Sequence, residues 1–412
     1  MKIIKLFIFY IVFTIIFPLP THAFTRWEYD AIGVDNLIVN NTSNTIKIAV
    51  IDSGIINNDY LNPYISNGYN FINNNTDCTD TYGHGTKVSG ILVDLARQTN
   101  LNIKLIPLKV VNENGTSTSD NIVKAINYAI IQKVDIINIS LANENNIETV
   151  ENAIRNAQTN NIIVISGSGN KSNANYSYPA SYNNVLSIGS VNQNQEVSWF
   201  SNFNDKIDTT APGEKVTTME LNGLYGLHSG TSLSTPFVTF EVALVKAYYP
   251  TLTNNQIIKV INETAIDKGD IGFDYHYGNG IVNYKNAIDN AYEALKEYTD
   301  WNTHSNVPLD KSWTISFNDS VQNIGKIVIM DEYYNIFPTD ITVNDSKILI
   351  KPSKNYNENT IYSLIVSDVT SSSDKTIKNN VKMRFQTIGI NKEIMSLKGI
   401  NKEIPSLIPF VN

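Results

Sequence analysis

The sequence predicts a doubly wound, mostly parallel α/β sheet followed by a small all-β sandwich. Up to about residue 298, short apolar runs alternate with longer segments whose apolar residues recur every three or four positions. This alternation is typical of parallel strands joined by helices that cover both faces of a sheet. From residue 313 onward, single apolar and polar residues alternate in short runs separated by Asn, Asp, Ser and Pro, as in antiparallel sandwiches.

The first 23 residues have the pattern of a secretory signal peptide. Lys2 and Lys5 precede an apolar run over residues 6–17, and the segment ends in a small residue, Ala23. The run is short for a membrane span and prolines follow it, so we expect cleavage after Ala23 and a secreted, extracellular bacterial protein. A membrane anchor is the alternative for this segment.

The composition is that of a globular chain without a nucleic-acid partner. Its 412 residues are 42% hydrophobic and 17% charged, with a formal net charge of −8. The acidic balance and the lack of Lys/Arg clusters argue against nucleic acid, and no membrane span is expected after signal removal. The single cysteine, Cys78, excludes an internal disulfide, and we expect it to be a small buried residue and not a second nucleophile.

The elements of the α/β part follow from the apolar pattern. Residues 48–54 form an apolar run that predicts a buried parallel strand with Asp52 at its carboxyl end. Asp120 is expected to cap the predicted helix that contains residues 122–130. The further predicted strands are 105–111, 134–141 and 162–165, and the predicted helices between them cover 122–130 and 150–157.

Two polar residues are expected at the starts of helices. His84 lies between two glycines, and Ser232 lies where a loop passes into a helix with Pro236 in its first turn. A serine hydroxyl becomes a good nucleophile when an imidazole accepts its proton, and a carboxylate must orient that imidazole. Asp52, His84 and Ser232 are therefore the candidates for these three roles; each alone also has a purely structural explanation.

The three motifs together resemble a known family. Asp-Ser-Gly at residues 52–54, Gly-His-Gly-Thr at 83–86 and Gly-Thr-Ser followed by Pro at 230–236 resemble, in this order, the subtilisin family of serine endopeptidases. The resemblance covers about residues 26 to 295. It implies hydrolysis of a protein or peptide substrate through an acyl-enzyme intermediate on Ser232.

The resemblance also assigns residues around the substrate. It implies that Asn170 donates a hydrogen bond to the oxyanion, beside the backbone N–H of Ser232, and that two chain segments flank an extended peptide. Ala142 stands where relatives usually have glycine, so we expect a narrower pocket for the residue before the scissile bond. The predicted substrate-binding residues are Asn114, Gly115, Thr116, Ser140, Leu141, Ala142, Gly167 and Ser168.

No cofactor is expected to be required, and no metal ligands are predicted. Residues 93–103 are too few for the calcium-binding loop that is common in the family, and Leu61 stands where an acid usually helps to bind the ion. Asp59 lies close, but one carboxylate makes a weak ligand set, so calcium stays an alternative. The other departures from the family pattern are Lys87, Leu233 and Phe237.

The chain is predicted to have four parts. The β-sandwich resembles bacterial Ig-like modules. It has two alternative roles: a rigid cap that stabilises the catalytic domain, or a part that binds the substrate or the cell envelope. The parts are the signal peptide 1–23, the catalytic domain 24–298, the Ig-like module 299–388 and a tail, 389–412, that contains a short repeat.

The predicted function is general extracellular proteolysis, with two alternatives. The first is a dedicated processing protease that removes a leader or propeptide from an exported peptide. Three features favour it: Ala142, a stretch between Ala23 and the first strand that is too short for the usual inhibitory pro-domain, and a β-sandwich that could dock a partner. The second is a catalytically silent peptide-binding protein, which an intact set of catalytic residues disfavours.

Overall fold

The computed structural model describes residues 26–35, 37–39 and 44–389, and the backbone of residues 407–408 and 410–411. The predicted signal peptide and most of the repeated tail lie outside the described residues. Every helix of the described part is too short or too polar to cross a lipid bilayer.

The predicted parallel sheet is confirmed, and it has seven strands. All neighbouring strands run parallel, in the order β2-β3-β1-β4-β5-β6-β7. The strands are buried on both faces, which is why they appear in the sequence as continuous apolar runs. They are β1 (Ile46–Asp52), β2 (Tyr69–Asn70), β3 (Ile103–Lys109), β4 (Ile136–Ile139), β5 (Ile163–Gly167), β6 (Val185–Val191) and β7 (Thr209–Pro212).

Helices cover both faces of this sheet. Val88 of α2 and Phe240 of α5 belong to the apolar core on one face, and Ile126 of α3 and Ile154 of α4 belong to the core on the other. A hairpin of β8 (Val216–Met219) and β9 (Tyr225–His228) precedes α5. The helices are α1 (Trp27–Ile32), α2 (His84–Thr99), α3 (Ser119–Ile131), α4 (Glu148–Thr159), α5 (Thr231–Tyr248), α6 (Asn254–Thr264), α7 (Tyr284–Asp289) and α8 (Ala291–Ala294), with a 3-10 helix at Asn62–Tyr64.

Two predicted helix starts are wrong in detail. The cap of α3 is Thr118 and not Asp120: its backbone is extended, and its hydroxyl accepts a hydrogen bond from the N–H of Asn121 at 3.2 Å. Asp120 lies in the first turn. Helix α5 begins at Thr231, so Pro236 lies in the second turn and not in the first.

The carboxyl-terminal part is rich in antiparallel strands, as predicted. Two larger sheets, β10-β21-β18-β14-β15 and β16-β17-β12-β22, share an apolar core that contains Trp313, Ile350, Leu364 and Phe385. An Ig-like topology and the domain boundaries stay predictions. The strands are β10 (Thr299–Asp300), β11 (His304–Val307), β12 (Trp313–Phe317), β13 (Val321–Asn323), β14 (Lys326–Asp331), β15 (Ile336–Phe337), β16 (Thr339–Asn344), β17 (Lys347–Pro352), β18 (Ile361–Ser367), β19 (Thr370–Ser371), β20 (Thr376–Ile377), β21 (Val381–Thr387), β22 (Leu407–Ile408) and β23 (Phe410–Val411).

This β-rich part, called the β-module below (residues 299–388), packs against α6 and α8. The hydroxyl of Tyr334 donates to the carbonyl oxygen of Glu263 at 2.7 Å, and the ammonium of Lys382 lies 3.3 Å from the carboxylate of the same glutamate. Lys326 lies 2.8 Å from Glu293 of α8. Hydrogen bonds and charge pairs therefore hold the module against the α/β part.

Candidate active site

Three different elements bring Asp52, His84 and Ser232 together. Asp52 is the last residue of β1, His84 the first of α2 and Ser232 the second of α5. The Nδ1 atom of His84 lies 2.8 and 2.9 Å from the two carboxylate oxygens of Asp52, and its Nε2 atom lies 2.9 Å from the Oγ atom of Ser232. Asp52 is fully buried, whereas His84 and Ser232 are half-buried. The three side chains form one continuous line of hydrogen bonds.

The charge of Asp52 governs the protonation of His84. Burial by itself lowers the pKa of the imidazole, but the negative charge and the hydrogen bond of Asp52 outweigh this effect and raise the pKa above its usual value of 6.5. Lys87 acts in the lowering direction, and Asp80 in the raising direction. The neutral form of His84, which can accept a proton, therefore becomes scarce as the pH falls through this raised pKa.

The side chain of Asn170 is held in one orientation. Its Oδ1 atom accepts hydrogen bonds from the backbone N–H of Thr231 at 2.8 Å and from the hydroxyl of Thr231 at 2.9 Å. Because the oxygen is fixed on Thr231, the amide nitrogen Nδ2 faces the opposite way. Asn170 lies three residues after the carboxyl end of β5, so its amide reaches the same edge of the sheet as Asp52.

Gly230 leaves space between this amide and the serine. A Cβ atom at residue 230 would lie 3.1 Å from the Oγ atom of Ser232 and 3.5 Å from the Nδ2 atom of Asn170, and the φ angle of +155° is unusual for other residues. A side chain here would fill the space that a reacting carbonyl group needs. The glycine therefore keeps the space beside Ser232 open.

Pro236 explains an unexpected contact of Ser232. The carbonyl of Ser232 would normally accept the helix N–H of residue 236, which proline lacks. The hydroxyl of Ser140 donates to it instead, at 3.0 Å. Asn138 donates to Ser140 at 2.9 Å, and the hydroxyl of Thr239 donates to Asn138 at 2.9 Å. The side chain of Ser140, predicted to bind substrate, is thus directed at the backbone of Ser232.

A groove of about 360 Å³ runs past the three residues. Four of the predicted substrate-binding residues line it: Gly115, Ser140, Leu141 and Ala142. Most of the other lining residues were not predicted from the sequence. The missed residues include Tyr82, Ile122, Ile147, Val150, Tyr178 and Tyr182.

The structure places the other four predicted residues outside the groove lining: Asn114, Thr116, Gly167 and Ser168. Gly167 is covered by Thr231, since a Cβ atom at this glycine would lie 2.9 Å from the Thr231 hydroxyl oxygen. Ser168 is buried and donates to the carbonyl of Asn202 at 3.4 Å. The backbone N–H groups of residues 114 and 116 are bound by Asn112 in a turn.

Tyr82 crosses part of the groove. A Cβ atom at Gly115 would lie 2.6 Å from the Cζ atom of Tyr82, so the phenol ring rests directly on this glycine. Tyr82 is 48% exposed and stands two residues before His84. The ring therefore restricts the groove between His84 and Gly115.

The comparisons with known proteins agree with this geometry. Residues 43–280, more than half of the chain, match the Subtilase family. The chain belongs to the subtilase family. The resemblance predicted from the three motifs is therefore confirmed.

Curated relatives are bacterial proteases. This subtilase is 31% identical over 284 residues to the minor extracellular protease Epr of Bacillus subtilis. The aligned region covers 66% of this chain but 43% of Epr. The chain thus spans less than half the length of that relative. The major intracellular serine protease of the same organism is 37% identical over 224 residues, 49% of the chain and 69% of the relative.

Solved structures include similar folds. A lanthipeptide protease has a TM-score of 0.55 and 26% sequence identity, over 59% of this chain and 87% of that one. A cold-adapted subtilisin-like serine proteinase has the same TM-score with 25% identity, over 63% and 97% of the two chains. Each similarity therefore extends over most of the solved protein but only about three fifths of this chain.

Two further side chains with reactive groups, His228 and Cys78, do not line the groove. His228 lies 2.9 Å from the carboxylate of Glu220, within the hairpin. Cys78 is half-buried with its sulfur 3.4 Å from the carbonyl of Pro107, and burial raises its thiol pKa to about 11. A thiol with such a pKa is a weak nucleophile at neutral pH.

The segment that the sequence predicts to be too short for a calcium-binding loop is a short connection. Helix α2 continues to Thr99 and β3 begins at Ile103, so three residues connect them. Leu61 is fully buried in the core, and Asp59 is exposed. In the part of the chain that the structure describes, no three His, Cys, Asp or Glu side chains form a group that could hold a metal ion.

Proposed function

We propose that this subtilase is a serine endopeptidase with Ser232 as nucleophile, His84 as general acid and base, and Asp52 as the group that orients His84. The observation that carries the proposal is the unbroken line of hydrogen bonds from Asp52 through His84 to Ser232. Each distance lies in the range required for proton transfer between catalytic groups.

The reaction follows from these contacts. The Oγ atom of Ser232 attacks the carbonyl carbon of the peptide bond while its proton passes to the Nε2 atom of His84. The imidazolium then gives that proton to the leaving amine, so the C–N bond breaks and an acyl-enzyme remains. Water, deprotonated by His84, hydrolyses the ester and restores Ser232. Asp52 stabilises the imidazolium in both halves of the cycle.

Asn170 is proposed to donate its Nδ2–H to the oxyanion, beside the backbone N–H of Ser232. We expect Asn170→Ala to lower kcat by about 100- to 1000-fold with little change in KM, because this bond strengthens in the transition state; the magnitude is that measured in subtilisin itself. Steady-state kinetics on a chromogenic peptide measure the effect. Asn170→Asp, which keeps an oxygen for Thr231 but lacks the donor, should lose at least as much, and a wild-type kcat in both variants would contradict the role.

Labelling with a fluorophosphonate probe tests the proposed nucleophile. The probe reacts with a serine that a neighbouring imidazole activates. We expect one covalent label per chain, located at Ser232 by mass spectrometry, and none in Ser232→Ala or after denaturation. A folded wild-type protein that the probe does not label would favour the catalytically silent peptide-binding alternative.

General extracellular proteolysis is the first proposal for the biological role. The signal-peptide pattern of residues 1–23 and the similarity to an extracellular protease support export, although one relative is intracellular. Contact with the cell envelope through the β-module stays a prediction. Its packing against α6 and α8 supports the alternative that the module acts as a rigid cap.

Leader or propeptide removal from an exported peptide is the second candidate. The similarity to a solved lanthipeptide protease supports it, and so do two features that restrict the groove, Ala142 and the ring of Tyr82 on Gly115. One methyl group discriminates by only about 1–3 kcal/mol, so several subsites must contribute. Incubation of residues 24–412 with an unbiased peptide library distinguishes the two roles. Cleavage at many unrelated sequences would support general proteolysis, and cleavage at a few sites with common flanking residues would support processing.

We also propose that the enzyme needs no calcium. Chelation with EDTA is expected to leave the thermal midpoint and the activity almost unchanged, because a bound ion stabilises a fold only where a site exists. Differential scanning calorimetry with and without EDTA measures this. A large fall in the midpoint that added calcium reverses would reveal a binding site and overturn the proposal.

A further inference from the structure

A second buried carboxylate, that of Asp80, lies in the loop just before His84. The side chain is 5% exposed. Its Oδ1 atom accepts the backbone N–H groups of Tyr82 at 3.0 Å and Gly83 at 2.8 Å, and its Oδ2 atom accepts the N–H and the hydroxyl of Thr86 at 2.9 and 2.7 Å. Asp80 thus binds donors on both sides of His84 and closes the amino-terminal end of α2.

The position of His84 on α2 creates an electrostatic problem. The aligned peptide dipoles give the amino end of a helix a partial positive charge of about +0.5. His84 is the first residue of α2, so the imidazolium that forms when it takes the proton of Ser232 stands where the helix disfavours positive charge. Asp52 offsets this charge from the side of β1, and Asp80 lies at the helix end itself.

We propose that Asp80 is a positioning residue for the reaction: it fixes the first turn of α2, holds His84 in line with Asp52 and Ser232, and offsets the positive helix end when His84 is protonated. The proposal rests on the function proposed above for these residues. Asp80 transfers no proton itself; it acts through the place and the charge balance of His84.

A buried lysine holds the loop that carries Asp80. The ammonium of Lys109 on β3 is bound by the carbonyl of Ser53 at 2.9 Å, the carbonyl of Thr79 at 2.8 Å and the hydroxyl of Thr81 at 3.2 Å. Ser53 follows Asp52, and residues 79 and 81 flank Asp80. Lys109 therefore connects the loop of Asp80 to the strand end of Asp52.

The charges around His84 determine the sign of the expected effect. Asp52 of β1 and Asp80 of the preceding loop raise the pKa of His84, whereas Lys87 of α2 lowers it. The ammonium of Lys109 on β3 binds the residues on either side of Asp80. Removing the charge of Asp80 should therefore lower the pKa of His84. It should also slow the reaction, because the same imidazolium is less stable in the transition state.

The test is the pH profile of kcat/KM for Asp80→Asn, measured with a chromogenic peptide at a temperature at which the variant is folded. Asparagine keeps one oxygen for the N–H groups of Tyr82 and Gly83. We expect the acid limb to move down by about 0.2–0.7 pH unit and kcat to fall about two- to fivefold, with KM unchanged. A loss of folded protein would lower the rate at every pH without moving the limb.

Three further variants make the result decisive. Asp77→Asn removes an exposed carboxylate three residues earlier in the same loop and should keep the wild-type profile. Lys87→Gln should move the acid limb up. Asp80→Ser replaces the asparagine variant if that one does not fold. If a folded Asp80 variant has the wild-type acid limb of kcat/KM and the wild-type kcat, and Ser232→Ala is inactive, the proposal for Asp80 is wrong. If Ser232→Ala is active, the proposed function is wrong instead.

Discussion

Replacing Ser232 by alanine is expected to abolish peptidase activity and to leave the fold intact. The Oγ atom of Ser232 lies 2.9 Å from the Nε2 atom of His84 at the edge of the groove, and its removal takes away the attacking atom without changing the packed core. In subtilisin, a member of this family, the loss of the serine costs about 2 × 10⁶-fold in kcat, and we adopt that figure. Activity on casein and the thermal midpoint measure the two parts of the prediction.

A neighbouring serine provides the matched control. Ser229 is exposed, and its hydroxyl accepts the backbone N–H of Lys215 at 2.9 Å on the hairpin side. Ser229→Ala removes the same atom three residues earlier and should retain activity within a few-fold. If Ser232→Ala cleaved casein at the wild-type rate, Ser232 would not be the nucleophile. If both serine variants were equally inactive, the loss in Ser232→Ala would not be specific to its Oγ atom.

The elements that carry the site could be predicted because their signals are local. A strand buried on both faces is an apolar run, and such a run ends at Asp52. Glycines on both sides of His84 and before Ser232 indicate tight turns at helix starts. These local signals were enough to predict the sheet, and the resemblance of the three ordered motifs to the subtilisin family selected the three residues that the structure brings together.

Helix starts were predicted less well because neighbouring residues compete. Thr118 and Asp120 are both good capping residues, and only the backbone geometry selects Thr118. Pro236 suggested the first turn of α5, but Thr231 already begins the helix. Proline is tolerated in the second turn here because the hydroxyl of Ser140 binds the carbonyl that the missing N–H leaves free.

Contacts between distant segments left no signal in the sequence. Ser140 and Ser232 are 92 residues apart, and the ring of Tyr82 meets Gly115 from a separate loop. Periodicity and spacing describe single elements, whereas these contacts depend on how loops meet at the edge of the sheet. The hydrogen bonds of Asp80 are local in sequence, within six residues, but they form a set only when the first turn of α2 has formed.

A buried ion pair near the start of the described chain is another contact between distant segments that the sequence does not predict. The guanidinium of Arg26 lies 2.7 Å from the carboxylate of Asp94 on α2. The same carboxylate accepts the hydroxyl of Tyr60 at 2.6 Å and that of Tyr225 at 2.8 Å, and Arg26 also lies 5.1 Å from the ring centroid of Tyr225. The cluster joins the segment before α1, the loop after β1, helix α2 and the hairpin that precedes Ser232.

Arg26→Met is expected to lower the free energy of unfolding by about 3–5 kcal/mol, the usual effect of breaking a buried ion pair by removing one partner. The side chain of Asp94 is 4% exposed and that of Arg26 18% exposed, so the variant leaves a carboxylate buried without its counter-charge. Urea denaturation of the Ser232→Ala background, which prevents self-digestion, measures the change.

The double variant Arg26→Met/Asp94→Asn separates the ion pair from simple packing. If the cost of Arg26→Met comes from the uncompensated charge of Asp94, then neutralising Asp94 as well should recover part of the lost stability, because asparagine can still accept from Tyr60 and Tyr225. Additive losses would mean that Arg26 contributes by packing on the tyrosine rings. A single variant as stable as the wild type would show that water reaches Asp94 and that the cluster is not a buried pair.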